Sequence, residues 1–244
     1  MDKLYFIKDL WNCRFNMQKW CNNRFNDPDR TVVDNAYVRY VETKDGFKWV
    51  PCQLEPTTRV FLEYGFLDVK QDDVVLDLGA HIGAFALRVA PLCKHVFAVE
   101  PLFNEELERN IELNGLQDKV TVCPFGVGDG RPIDIEFFGK KKDRVRTHTL
   151  GTFRELIKKK HGMDVTFLKI DVEGAEWLIY PEDLKGIRRI EFEAHTGRNS
   201  LYPVNQELIE YIKRNYTVNQ NPDPTGRHEG YYIHAGIGEP CILS

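Results

Sequence analysis

Two groups of residues in this chain have the types and spacing that do chemistry. The first is Asp77-Leu78-Gly79-Ala80-His81-Ile82-Gly83, which follows the apolar run Val74-Val75-Leu76 and precedes a helical stretch. A glycine at a strand-to-helix turn lets the backbone come close to a ligand, and Gly83 lets the helix start pack tightly. Asp77 can accept hydrogen bonds or pair with a positively charged part of a cofactor. The next apolar run, Val96 to Val99, ends at Glu100. An acid about 20 residues after such a turn is placed to hold both ribose hydroxyls of a bound nucleoside. The second group is Asp171 and Glu173 after one predicted strand, with Glu193 and His195 after the next. Carboxylates and an imidazole at neighbouring strand ends can move a proton.

The first group discriminates between cofactors. A dinucleotide site wants G-x-G-x-x-G, whose second glycine admits the pyrophosphate. Here the spacing is G-x-x-x-G, and His81 stands where that second glycine would be. Asp77 would also repel phosphates. S-adenosylmethionine has no phosphate and carries a sulfonium and an ammonium, so these residue types suit it better than NAD. The second group can move a proton. A hydroxyl that acts as a nucleophile must lose its proton, and a positioned base is worth about 10²–10⁴-fold. His195 has the ordinary pKa nearest neutrality and reads as that base, with Asp171 or Glu193 to orient it. Plainer readings stand beside this one. Glu173 and Glu176 can cap a helix N-terminus, Lys169 can be an edge charge, and His195 can be a hydrogen-bonded structural residue. The cluster of Asp171, Glu173, Glu193 and His195 can also take Mg²⁺, although no spacing demands it.

The elements that must position these residues follow from periodicity. Leu4, Ile7, Trp11 and Phe15 recur at helical spacing and predict an N-terminal amphipathic helix. A break spans Asn22 to Asp29. Alternation at Tyr37, Arg39 and Val41, then Phe47 and Trp49, flanks Lys44-Asp45-Gly46 and predicts a β-hairpin. Thr57 to Gly65 reads as a short helix. From Asp73 onward, apolar strands alternate with helices. The helices are expected at Ile82 to Cys93, Asn104 to Gly115 with Asn104 as N-cap, Thr152 to about His161 opened by a capping box, Ala175 to Ile179 and Val204 to Tyr216. Strands are expected at Val120 to Cys123, Ile133 to Phe137, Val165 to Ile170, Ile187 to Phe192 and Tyr231 to His234. This order predicts a doubly wound α/β domain with a mostly parallel, seven-stranded-type sheet covered on both faces. The expected division is an N-terminal extension over residues 1–56, packed on a main domain over 57–244.

Composition sets outer limits. The chain has 244 residues and a formal net charge of −4. That size can bury a sizeable core without disulfides or metals. The charge argues against a dedicated nucleic-acid binder. No apolar run is long enough for a membrane span, and the apolar N-terminal run is too short for a signal peptide. The six cysteines show no C-x-x-C pair, which predicts free thiols and a cytoplasmic location. Lys140-Lys141-Lys142 to Arg146 and Lys158-Lys159-Lys160 are basic runs, more often solvated faces than ligand sites. The first could instead form a loop suited to an anionic substrate.

Together these residues resemble a known family. Val75 to Phe85 resembles the first motif of FkbM-type S-adenosylmethionine-dependent methyltransferases, as does Val99-Glu100-Pro101 with Asn110 and Asn114 in the following helix. Gly126-Val127-Gly128-Asp129-Gly130 resembles the family's loop after the third strand, where the resemblance places the adenine ring. Phe167-Leu168-Lys169-Ile170-Asp171-Val172-Glu173-Gly174-Ala175-Glu176 is the most specific match. The resemblance covers roughly Thr57 to His195. Two departures stand out: His81 where the family usually has Asn, and Thr149-Leu150-Gly151 where it usually has Thr-Leu-Asp. The resemblance implies methyl transfer, often to a hydroxyl of a sugar, lipid or natural product. It implies a cofactor site built from Asp77, Gly79, Ala80, His81, Gly83, Glu100, Gly126, Val127 and Asp171. Asp171, Glu193 and His195 remain the catalytic candidates. The partner expected is a small-molecule acceptor rather than nucleic acid. Two other functions compete. Asn110 to Gly115 also resembles archaeal-type tRNA guanine methyltransferases, but the Asn-Pro-Pro-Tyr or Asn-Leu-Pro run of base-methylating enzymes is replaced here by Asp171-Val172-Glu173-Gly174. A non-catalytic cofactor-binding protein would have no physical need for Asp77, Glu100 and Asp171 together.

Overall fold

The computed structural model describes residues 30–34, 39–50, 60–66, 68–135, 143–197, 200–222 and 230–237. The expected N-terminal helix lies outside them, as does Lys140-Lys141-Lys142. The apolar strands assemble as expected into one seven-stranded sheet. Its members are β4 (Val74–Leu78), β5 (His95–Val99), β6 (Val120–Cys123), β11 (Phe167–Ile170), β12 (Arg189–His195), β13 (Thr217–Pro222) and β14 (Gly230–Gly236). Their order across the sheet is β13-β14-β12-β11-β4-β5-β6. The five strands from β6 to β12 are parallel, and β14 is antiparallel to both of its neighbours. The chain winds outward from β4 to β6, then returns to place β11 on the other side of β4. That reversal opens a crevice at the carboxyl ends of β4 and β11, where ligands of such sheets bind.

Alternation along each strand divides the core in two. Leu76, Phe97, Leu168, Ile190 and Phe192 face α4 (Leu150–His161) and α5 (Gln206–Asn215), which contribute Phe153, Ile157, Leu208 and Ile212. Val75, Val96, Ala98 and Phe167 face α2 (Ala84–Val89) and α3 (Asn104–Leu113). On this second face the pattern changes beyond β4. Lys169, Arg189, Glu191, Glu193 and His195 alternate with apolar residues and bring a polar layer into the interior. Lys169 is therefore not an edge charge: β11 lies inside the sheet between β4 and β12, and Lys169 is 3% exposed.

The hairpin expected around Lys44-Asp45-Gly46 is present as β2 (Arg39–Thr43) and β3 (Lys48–Trp49), joined by β1 (Arg30–Asp34) into a three-stranded sheet. It shares the second core through Val41 and Trp49. The asparagines of α3 hold it in place. Asn110 accepts from Val50 N at 2.7 Å and Asn114 from Lys48 N at 2.9 Å, while Asn114 Nδ2 donates to Lys48 O. Arg88 adds an ion pair to Asp45 at 2.6 Å. The short helix before the main sheet is α1 (Val60–Glu63).

Some boundaries differ from those read off the sequence. The cap of α4 is Thr149, whose Oγ1 accepts from Thr152 N, so the helix starts one turn earlier with Leu150 buried. Asn104 does not cap α3; the chain entering it is held by Glu100 through Leu102 N and Phe103 N. β13 was hidden by its Asn and Pro content, which is tolerated because it is a sheet edge. Small ribbons lie beside the crevice: β7 (Gly126–Val127) pairs with β10 (Thr147–His148), and β8 (Ile133–Ile135) with β9 (Asp143–Val145). Cys93 and Cys123 are free thiols. Among the described residues no helix is long and apolar enough to cross a membrane.

Candidate functional site

A cleft of about 440 Å³ opens at the carboxyl ends of the central strands. That size accommodates a ligand of nucleoside dimensions. Its floor is the β4–α2 loop. Gly79 has φ +79°, and a Cβ there would fall 1.7 Å from Asp171 O, so only glycine lets the two strand ends meet. Gly83 has φ +95°, and a Cβ there would press on Leu87 and Leu107. His81 also has a positive φ of 50°, a conformation uncommon outside glycine that Asn, Asp and His enter more readily than other residues. Its ring is held edge-on against Phe103 at 4.5 Å.

Glu100 spans the middle of the cleft. One oxygen accepts from Leu102 N and Phe103 N at 2.7 and 3.1 Å, and the other accepts from His81 N at 2.9 Å. Burial raises its pKa, and these backbone donors act against that rise. The carboxylate therefore sits in a fixed orientation with lone pairs left for ligand hydroxyls. On one side the walls are apolar: Val99, Leu102, Phe125, Val127, Ile133 and Ile135. On the other side they are acidic, with Glu63, Asp171, Glu173 and Glu193 around His195. None of the described lining residues is lysine or arginine.

The acidic end rests on a buried cation. Lys169 Nζ lies 3.3 Å from Asp77 Oδ1 and 3.4 Å from Asp171 Oδ2, and it donates to Gly79 O at 2.9 Å. Burial pulls its pKa down, but Asp77 and Asp171 outweigh that and hold it above the ordinary lysine value. Asp77 is fully buried and its pKa is raised by that burial, with Lys169 opposing. Burial also pushes Asp171 upward, yet Lys169 and His195 leave it below its ordinary value. Glu193 has the opposite balance: burial and the charge of Asp171 push it up to about 8. Tyr64, from the turn after α1, has its hydroxyl 3.0 Å from both Asp171 Oδ2 and Glu193 Oε2.

His195 is enclosed by acids. Its Nδ1 lies 3.2 Å from Glu176 Oε1, and its Nε2 lies 3.5 Å from Glu173 and 3.7 Å from Glu193. Burial lowers its pKa, but the Glu176 hydrogen bond and the charge of Asp171 prevail and bring it to about 9. Near neutrality it is an imidazolium. Asp171, Glu193 and His195 each bring one donor atom within 4.8 Å of the others, close enough to share a proton or a cation.

The residues singled out in the sequence thus divide into two sets. Gly79, His81, Glu100, Gly126, Val127, Asp171, Glu193 and His195 all line the one cleft. Asp77, Ala80 and Gly83 are not among its lining residues; they are buried at the strand end and within the loop and set its shape. Sequence reasoning missed Tyr64, Glu63 and the buried Lys169 ion-pair hub. For Lys169 the signal was present: a lysine between apolar neighbours in an interior strand requires carboxylate partners.

The sequence model described as Methyltransferase FkbM domain matches residues 77–218. A curated relative, probable ribosomal RNA small subunit methyltransferase A of Methanothermobacter thermautotrophicus, is 28% identical over 155 residues, 62% of this chain. The match spans 50% of that relative's length. Among solved structures, M. capricolum TrmK in complex with S-adenosylhomocysteine overlays with a TM-score of 0.47 at 13% identity, covering 77% of this chain and 70% of that one. A precorrin-6y C5,15-methyltransferase from Geobacter metallireducens overlays at 0.46 and 15% identity, covering 80% and 95%.

Proposed function

This chain belongs to the methyltransferase FkbM domain family, and we propose from that premise that it methylates a hydroxyl oxygen of a small-molecule, sugar or lipid-type acceptor. The chain is an S-adenosylmethionine-dependent methyltransferase. The cleft fits that cofactor by its chemistry. Glu100 offers a fixed carboxylate for ribose hydroxyls, the apolar walls suit an adenine, and the acidic end suits a cationic sulfonium and ammonium. The absence of lysine and arginine from the described lining suits a ligand without phosphates. When bound, S-adenosylmethionine supplies an electrophilic methyl group.

What the chain must add is an oriented acceptor and a place for its proton. Holding the acceptor in line contributes up to about 7–11 kcal/mol. The observation that carries the hydroxyl reading is Glu193, a carboxyl lining the acidic end of the cleft whose pKa of about 8 matches a base working near neutral pH. His195 is the weaker base candidate, because a pKa of about 9 leaves it protonated. Its role in this proposal is to face Glu193 as a cation and keep the ionised form accessible. Asp171 is the fixed anion of the pair.

A second reading is methylation of RNA, favoured by the similarity to a probable ribosomal RNA methyltransferase. The acidic end of the cleft speaks for an uncharged acceptor instead, since a phosphate backbone would meet Glu63, Asp171, Glu173 and Glu193. Transfer of labelled methyl from S-adenosylmethionine, run in parallel on hydroxylated small molecules, glycolipids and bulk RNA, separates the two. The expected product is an O-methyl ether in a small-molecule or lipid fraction, identified by NMR. Labelling confined to RNA would reverse the order.

A further inference from the structure

We propose that Tyr64 is a positioning residue for the proton acceptor: its one hydroxyl bridges Asp171 and Glu193 and fixes on Glu193 the single proton that the pair must share. The inference rests on the reading of Glu193 as base. Its starting point is a count of hydrogens. The Tyr64 oxygen lies 3.0 Å from Asp171 Oδ2 and 3.0 Å from Glu193 Oε2. A phenol has one hydrogen to donate. If both carboxyls were ionised, one of the two contacts would set lone pair against lone pair inside the protein. The arrangement closes when one carboxyl is protonated: Tyr64 donates to the carboxylate and accepts from the acid.

The surroundings decide which carboxyl carries that proton. Asp171 lies 3.4 Å from the Lys169 ammonium, which favours its charged form. Glu193 has only the His195 imidazole as a cation, 3.7 Å away and shared with Glu173 and Glu176, and its burial and the charge of Asp171 outweigh that contact. The groups around it are Lys169 from β11, Asp171, Glu173 and Glu176 from the turn that follows, His195 on its own strand, Tyr232 from β14, and Glu63 and Tyr64 from α1 and the turn after it. The Tyr64 phenol cannot take the negative charge itself, because burial and the two carboxylates hold its pKa well above the ordinary value. It stays a neutral donor and acceptor over the working range.

Tyr64 is built to hold still. Its ring packs edge-on against Phe85 at 5.7 Å and Tyr232 at 5.8 Å, and Lys169 Nζ lies 5.3 Å from its centroid. The next residue is clamped to the same strand as Glu193, with Gly65 N donating to Glu191 Oε2 at 2.9 Å. Tyr64 precedes the residues matched by the family model, so the stretch before the family domain supplies a part of the site. It touches the base and does not line the cleft, which makes it a positioning residue rather than a catalytic one.

Carbon-13 carboxyl NMR on the S-adenosylhomocysteine-bound protein tests this without an acceptor. In wild type, Asp171 should be ionised throughout pH 6–9 while Glu193 titrates within that range, with Asp171→Asn and Glu193→Gln giving the assignments. Tyr64→Phe removes one oxygen and keeps the ring. The protonated pair loses two hydrogen bonds with Tyr64 and the doubly ionised pair only one, so the Glu193 midpoint should move down by about one pH unit. With the acceptor labelled in the transfer assay, the acid limb of kcat should move by the same amount, and cofactor KM should stay within twofold. In a Glu193→Gln background, Tyr64→Phe should cause no further loss. An unmoved midpoint, or full additivity in that background, would overturn the role of Tyr64. Should Tyr64→Phe fail to fold, the wild-type titration still decides: both carboxyls ionised at pH 6 would exclude the shared proton. Full turnover by Glu193→Gln would refute the base reading itself, a result separate from either of these.

Discussion

Lys169→Met removes the ammonium that touches both Asp77 and Asp171 while keeping most of the side-chain volume. Two carboxylates, one fully buried, would then share an interior without their cation. Breaking a buried ion pair by removing one partner costs about 3–5 kcal/mol. At about 2–4 °C per kcal/mol for a chain of this size, Tm should fall by roughly 6–20 °C at pH 7.5. The pH dependence carries the sign. Without Lys169, the folded-state pKa of Asp77 rises further above its unfolded value. A carboxyl with a raised folded pKa contributes stability below its unfolded pKa and loses it as pH rises through the folded value. The deficit of the variant should therefore shrink as pH falls from 8 to 5. Circular-dichroism melts across that range, with S-adenosylhomocysteine omitted, measure it. Adding Asp77→Asn to Lys169→Met should restore part of the loss. A deficit below about 1 kcal/mol at pH 7.5, or one that does not change with pH, would refute the account of Lys169 as the keystone of the site.

Other variants probe the remaining parts. Glu193→Gln should lower kcat by about 10²–10⁴-fold and change cofactor affinity far less; activity lost to a chelator in wild type and restored by Mg²⁺ would instead assign these carboxylates to a cation. Gly79→Ala should abolish binding of S-adenosylhomocysteine or prevent folding, because its Cβ would sit 1.7 Å from Asp171 O; calorimetry showing wild-type affinity would contradict that geometry. His195, raised to about 9, contributes stability that is full below about 6.5 and lost as pH rises through 9. Tm should fall between pH 6.5 and 9.5, by an amount equivalent to about 3 kcal/mol, and His195→Asn should flatten that slope.

The parts legible in the sequence were those fixed by local pattern. Val74-Val75-Leu76 and Val96 to Val99 declare buried parallel strands, and Gly79 and Gly83 declare a turn that no side chain fits. Glu100 follows from its distance along the chain after that turn. The role of each proton carrier was not legible, because pKa depends on neighbours far apart in sequence. His195 looks like the base by its intrinsic value, and it becomes a cation once the Glu176 hydrogen bond and the charges of Asp171 and Glu173 close around it. Tyr64 was invisible for the same reason: its partners lie 107 and 129 residues away. Asn110 and Asn114 were legible as part of the family resemblance, but not their task, which is to hold the backbone around β3 and the β4–α2 loop. Alternation inside β12 hid the polar layer, since Arg189, Glu191 and Glu193 resemble a solvated face until α1 and β14 cover them.

Titration calorimetry with Glu100 as the variable tests the central claim most directly. Wild type should bind S-adenosylhomocysteine at one site per chain and give no heat with NAD. Glu100→Ala should weaken that binding at least tenfold, each charged hydrogen bond to ribose being worth about 1.5–3 kcal/mol. Saturable NAD binding with none for S-adenosylhomocysteine, or wild-type affinity in a folded Glu100→Ala protein, would contradict the account.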